Sequence, residues 1–223
     1  MTPGTQTERA KLERRLQQGL AALHLELPDV TRARLLQFLE LLAYWNRAYN
    51  LTAVRDVEQM LPRHLLDSLS VLPYVRGMRV VDIGTGAGLP GIPLALALPA
   101  AHFVLLDSNA KKVRFVRQAL HELGVGNAEA VHCAAERYRP PAPFDTVVAR
   151  ALAAIPDMLT SCRHLCAPGG AVLAMKGVYP QEELAGVAAG FRVRDVVRLT
   201  VPGLDAARHL VILEPVSEQE QGA

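Results

Sequence analysis

The chain has 223 residues, half of them hydrophobic, enough to close a packed core without disulfides or a metal. No apolar run reaches the roughly 18 residues that cross a bilayer, and the leading MTPGTQTERAKLERR lacks the apolar segment of a secretory signal, so a cytoplasmic protein is expected, with no membrane partner. A net charge of +2 is too small to imply nucleic-acid binding by itself, and three cysteines in no framework spacing, Cys133, Cys162 and Cys166, suit a reducing compartment.

From about Thr5 to Val75 the pattern is helical. Leu12, Leu16, Leu20 and Leu23 recur at helical spacing. Pro28 marks a break. A second helix over about Thr31 to Tyr49, with Thr31 as its N-cap, would bury Leu35, Leu36, Leu39, Leu42 and Trp45. A third helical segment carries RHLLDSLSVLPYV. From Met78 short β-rich runs take over: MRVVDI, HFVLLD, AEAVHCA, FDTVVAR and GAVLAMK, then FRVRDVVRLTV and RHLVILEPV. The first five alternate with helical stretches such as SNAKKVRFVRQALHELG and ALAAIPDMLTSCRHLC, the βαβ rhythm of a parallel, doubly wound sheet. The last two lie too close together for a full helix between them, which predicts an antiparallel pair at one edge. The expected organisation is an N-terminal helical cap over residues 1–76, a Rossmann-like α/β domain over 77–216 and a polar tail over 217–223.

The first strand feeds a glycine loop, VVDIGTGAGLPGIPL. Gly86 to Gly91 fit the dinucleotide fingerprint G-x-G-x-x-G, which would mean hydride chemistry. Asp82 argues otherwise. A pyrophosphate is held by amide N–H groups, and a carboxylate beside it would be repelled. S-adenosylmethionine carries an ammonium and a sulfonium and no phosphate, so Asp82 would help it, directly or through water. Gly84, Gly86 and Gly88 supply the tight turn and close approach such a cofactor needs. Asp107 ends the second strand, where a carboxylate can accept both ribose hydroxyls of either cofactor. Its competing role is to cap the helix that follows.

Around this loop the blocks YNLTAVRD, RHLLDS, DIGTGAGLPGIPL, AAERY, FDTVVARALA, MKG and RHLV resemble the bacterial 16S ribosomal RNA guanine-N7 methyltransferases, the RsmG or GidB family. The resemblance implies a Rossmann-like, S-adenosylmethionine-dependent methyltransferase sheet. It implies transfer of a methyl group to N7 of guanine 527 in 16S rRNA, with naked rRNA or the small ribosomal subunit as partner. It also implies cofactor contacts from Gly84, Leu89, Asp107, Ser108, Asn109, Ala135, Glu136 and Arg150. Ala87 stands where many relatives have proline.

The chemistry is compatible with that resemblance. N7 of guanine carries a lone pair and no proton, so no general base is expected, and catalysis reduces to alignment and electrostatics. No Asn-Pro-Pro-Tyr type tetrapeptide follows the fourth strand, which ends VVARA, and no cysteine stands in that position. Arg150 there is the candidate catalytic group, with three possible roles: pinning the cofactor carboxylate, bonding guanine O6, or holding an RNA phosphate. A surface ion pair is the plain alternative. Proximity to a sulfonium favours the carboxylate or the base.

Arg55, His64, Lys176 and Arg208 are candidate RNA contacts, whereas the cations over 111–117 read as a solvated helix face. Asn50, Thr52, Arg55, His64, Asp67 and Ser68 either lock the cap to the sheet or face RNA. Cys162 and Cys166 flank His164, but no further ligand pair follows, so buried structural thiols and no metal are expected. Aromatic residues make up only 5%, against a sheet of exposed stacking rings. The alternatives are a methyltransferase acting on another RNA, a protein or a small molecule, an NAD-dependent oxidoreductase, and a non-catalytic RNA-binding module.

Overall fold

The computed structural model describes residues 3–187 and 190–216; the polar tail expected from residue 217 lies outside them. Helix α1 (Pro3–Ala22) buries Leu16 and Leu20, with Leu12 and Leu23 at the margin of the core. Helix α2 (Asp29–Tyr49) begins two residues before the expected start, so Thr31 does not cap it. Pro28 takes the cap position without a side-chain bond. A proline there loses nothing, because the first N–H groups of a helix have no intrahelical partner. Asp29 in the first turn pairs with Arg32. Trp45, expected in the core, is half-buried, its ring 5.8 Å from that of Phe115.

Helix α3 (Val57–Met60), a π-helical turn (Leu61–Leu66) and helix α4 (Asp67–Leu69) run on as one rod. The helix expected through Val75 ends early, in a 3-10 turn at Leu72–Tyr74, because Pro73 removes an N–H and clashes with the preceding turn.

The strands are β1 (Arg79–Ile83), β2 (His102–Asp107), β3 (Ala128–His132), β4 (Phe144–Arg150), β5 (Cys166–Lys176), β6 (Phe191–Arg198) and β7 (His209–Pro215). They form one sheet in the order β3-β2-β1-β4-β5-β7-β6. The first five are parallel, and β7 is antiparallel to both β5 and β6. The antiparallel pair is therefore present, with β7 inside the sheet and β6 on its edge. Helices α5 (Gly91–Ala97), α6 (Ala110–Glu122), α7 (Ile155–Cys162) and α8 (Gln181–Ala185) connect the strands. Helix α7 starts later than its apolar sequence suggests. Ala151 turns left-handed at φ 51°, and residues 151–153 form a bend before Pro156 opens the helix.

Neighbouring strand residues point to opposite faces. Val80, Phe103, Leu105, Val148 and Leu173 join one core, which also contains Leu16, Phe38, Leu39 and Leu65 of the N-terminal helices. Val81, Val104, Leu106, Val147 and Val172 join a second core under α7. The cap therefore shares its core with one face of the sheet. Helices α5 and α7 lie on opposite faces, so the chain reverses its winding between β1 and β4. That switch point is where an open parallel sheet leaves a crevice.

Candidate active site

Beyond β1 the chain turns through Gly84, Gly86 and Gly88, all left-handed at φ 65°, 60° and 78°. Two carboxylates hold the turn. Asp107 accepts from the Gly86 amide at 2.8 Å and from the Asn109 amide at 2.8 Å. Asp82 accepts from the Thr85 hydroxyl at 2.6 Å and from the Gly91 amide at 2.8 Å through one oxygen, while its other oxygen is buried without a protein partner. Full burial, the largest influence, pushes the Asp82 carboxyl up to about 7 against those two bonds. Gly91 is required for close approach: a Cβ there would lie 2.2 Å from Leu105 Cδ2 and 2.7 Å from Asp82 Oδ2. The amides of Gly88 and Leu89 turn back on the Thr85 carbonyl, and that of Thr85 on Leu106.

This corrects one expectation. Asp82 has no exposed surface and lies beneath the loop, so it does not meet a cofactor's cations directly. Its observed partners are the Thr85 hydroxyl and the Gly91 amide, which leaves only the indirect route of that expectation open.

Two cavities meet over Gly84, sharing it with Lys112 and Ala151. The first, of about 510 Å³, lies between the loop and the cap. Its walls combine apolar Leu51, Leu89 and Met175 with Thr52, His64 and five cations, Arg63, Lys112, Arg150, Lys176 and Arg208. The second, of about 480 Å³, lies over the ends of β2 and β3 and is lined by Asp107, Ser108, Ala135 and Glu136. Leu152, 42% exposed, crosses Gly84 between them; a Cβ on Gly84 would lie 2.3 Å from it.

The cap side of the first cavity is held by Asp67. Its Oδ2 accepts from Arg150 Nη1 at 3.1 Å and its Oδ1 from Arg208 Nε at 2.8 Å. The π turn makes this possible. The Asp67 amide reaches back to the carbonyls of Pro62 and His64. The Arg63 carbonyl between them accepts from Arg150 Nη1 at 3.3 Å and from His64 Nδ1 at 2.9 Å. That carbonyl cannot donate, so His64 carries its proton on Nδ1, and Nε2 accepts from the Thr52 hydroxyl at 2.9 Å. Burial, followed by repulsion from Arg150, pulls the His64 imidazole down to about 4, so it is neutral at pH 7. Of the polar groups named for the cap, Asp67 ties it to the sheet through Arg150 and Arg208, Thr52 bonds His64 within the cap, and Ser68 Oγ is buried without a hydrogen-bond partner.

Other expected site residues are distributed unevenly. Lys176 lines the first cavity, but its ammonium is tethered to the Ala153 carbonyl at 2.8 Å and to Glu183 at 2.7 Å. Glu183 in turn accepts from the Ile155 amide at 2.7 Å. Asn109 caps α6 by accepting from Lys111 and Lys112, so Asp107 is not that helix's cap, and Asn109 lines neither cavity. Gly88 likewise lies off both walls, packed on Ile92. Arg55 is exposed and lines neither cavity. Among the described residues no cluster suits a metal, and burial pushes the Cys162 and Cys166 thiols up to about 12. Sequence reasoning placed Asp67 among the groups that lock the cap or face RNA, but missed its partners. A carboxylate inside the apolar run HLLDSL signals a need for a cation, yet nothing local names Arg150 or Arg208.

Residues 31–211 match the family described as rRNA small subunit methyltransferase G. The chain is 54% identical over 202 residues to the ribosomal RNA small subunit methyltransferase G of Yersinia enterocolitica, covering 90% of this chain and 98% of that one. It is 50% identical over 204 residues to the protein of the same name from Serratia proteamaculans, covering 91% and 99%. Among solved structures, TrmN from Thermus thermophilus superposes with a TM-score of 0.53 at 21% identity, covering 77% of this chain and 53% of that one. A SAM dependent methyltransferase from Aquifex aeolicus gives 0.53 at 20%, covering 70% and 92%. These structural likenesses concern the fold.

Proposed function

The chain belongs to the rRNA small subunit methyltransferase G family, and from that membership we propose that it transfers the methyl group of S-adenosylmethionine to N7 of guanine 527 in 16S rRNA, in the cytoplasm. The structural observation that carries this reading is the direction of the loop amides. Those of Gly86 and Gly91 bind the carboxylates of Asp107 and Asp82, and those of Gly88 and Leu89 bind Thr85. A pyrophosphate needs such amides free and no carboxylate behind them. The loop thus disfavours NAD and fits a phosphate-free cofactor.

S-adenosylmethionine, when bound, supplies an electrophilic methyl group on a sulfonium. Its fit rests on the shape and chemistry of the joined cavities. Asp107, with Ser108, Ala135 and Glu136 along the same wall, suits a ribose and an adenine. Gly84 and Leu89 lead from that wall into the first cavity. There Arg150 and Arg208 retain free N–H groups for a carboxylate or a base.

The first cavity would take the guanine. Leu51, Leu89 and Met175 offer apolar surface to its faces. A bidentate arginine across O6 and N7 is the usual reader of guanine, but it would occupy the lone pair that must attack. Arg150, held from behind by Asp67, is therefore assigned to O6 or to the cofactor carboxylate. His64, neutral and bonded at both ring nitrogens, positions the cap and abstracts nothing. No base is needed, since N7 bears no proton.

The test is methylation of small ribosomal subunits with methyl-labelled S-adenosylmethionine, with mass spectrometry of the 16S rRNA. Label at N7 of guanine 527, and its absence in cells lacking the protein, is expected. Unchanged N7 methylation in those cells would overturn the assignment.

A further inference from the structure

An exposed aromatic side chain follows the wall of the first cavity closely in the chain. Beyond β5 the chain passes from Lys176 and Gly177, both on the cavity wall, to Val178 and Tyr179, which are 76% and 52% exposed. Leaving so much apolar surface in water is informative when it borders a site. Tyr179 is two residues from Gly177, so its Cα lies within about 7 Å of the wall.

The ring is braced. The imidazole of His209 meets it edge to face, centroids 5.6 Å apart and planes at 89°. His209 is fixed in turn: its Nδ1 bonds the Gly177 carbonyl at 2.9 Å, and its backbone pairs with Lys176 on one side and Arg198 on the other. Whichever ring presents its edge, an edge-to-face contact covers at most one face of the tyrosine. The surroundings are cationic: Arg208 precedes His209 and lines the cavity, and exposed Arg198 ends the neighbouring strand.

We propose that Tyr179, held by His209, is a stacking platform for a nucleobase of the substrate RNA next to the guanine in the first cavity. The proposal rests on the RNA-methylating reading above. An open aromatic face beside cations matches unpaired RNA, whose splayed bases stack on aromatic rings while arginines hold the backbone. It does not need a sheet of exposed rings, which the composition argues against. The platform binds and orients; the chemical step does not pass through it.

The experiment is steady-state methylation of small ribosomal subunits by Tyr179→Ala, Tyr179→Leu and Tyr179→Phe. Loss of one stacked base corresponds to about a tenfold rise in KM for RNA in the Ala and Leu variants. Expected alongside are a kcat and a KM for S-adenosylmethionine within about twofold of the parent, and a Phe variant near the parent throughout. Stacking fails if Tyr179→Ala leaves the RNA KM unchanged. It also fails if Leu restores it, which would signify an apolar contact with ribosomal protein, or if Phe behaves as Ala, which would assign the effect to the hydroxyl. A drop in kcat alone would likewise overturn it. Failure of the underlying function would look different, because the parent protein itself would methylate no subunit.

Discussion

Asp67 and Arg208 stand 141 residues apart in the chain and meet at 2.8 Å on the wall of the first cavity. With Arg150 on its second oxygen, Asp67 is a 97% shielded anion between two cations that keep 20% and 26% of their side-chain surface. Asp67→Asn preserves the shape and removes the charge. Breaking a fully buried pair costs about 3–5 kcal/mol, and the arginines' access to water reduces the expected loss to about 2 kcal/mol. A fall in Tm of roughly 4–8 °C follows for a chain of this size. Thermal unfolding decides it, and an unchanged midpoint would show that the cluster adds nothing to stability.

His64 gives a pH dependence of definite sign. Its folded value near 4 lies below the ordinary 6.5, because burial and Arg150 oppose its charge. Between those pH values the unfolded chain binds a proton that the folded chain refuses, so stability falls as pH drops from about 6.5 toward 4. The slope is about 1 kcal/mol per pH unit inside that window. Urea titrations at several pH values should show the slope reduced in His64→Gln. Equal slopes in both proteins would mean the imidazole is not held neutral.

Asp82 acts in the opposite sense. Its folded carboxyl, raised to about 7 by burial, keeps a proton that the unfolded chain has lost above about 4. Its contribution therefore declines as pH rises from 4 to 7 and is flat beyond. Asp82→Asn does not titrate, so the stability of the variant relative to the parent should climb across that window by about 1 kcal/mol per pH unit. A constant difference between pH 4 and 8 would show that Asp82 is ionised throughout.

Two glycines of the loop make a matched pair. Both are left-handed, so an alanine at either costs about 1 kcal/mol of backbone strain. At Gly86 the nearest atom to a new Cβ is 3.8 Å away, whereas at Gly84 it would press on Leu152 where the two cavities join. Calorimetry should find S-adenosylmethionine binding weakened at least tenfold by Gly84→Ala and much less by Gly86→Ala. Equal effects would indicate that backbone strain alone governs the loop.

Much of the fold was legible from local pattern. Alternating βαβ texture, the glycine turn and Asp107 at a strand end follow from periodicity and backbone stereochemistry, which each short segment carries within itself. The blocks around the loop carried the family likeness in the same way. The early start of α2 and the π turn at Leu61–Leu66 were not legible, because they depend on how Pro28 and Pro62 are accommodated by the packing around them.

The sequence by itself determined that a strand, a tight glycine turn and two acids would build a cofactor loop on a parallel sheet. Only the tertiary structure decided which way those acids face. Asp82 is turned inward onto Thr85 and Gly91, Lys176 is tethered to Glu183, and Arg55 is left outside the cleft. Arg150 meets Asp67 from 83 residues away. Such pairings are set by where the cap docks on the sheet, and by the cost of burying a charge without its partner; neither is written in any short stretch of chain.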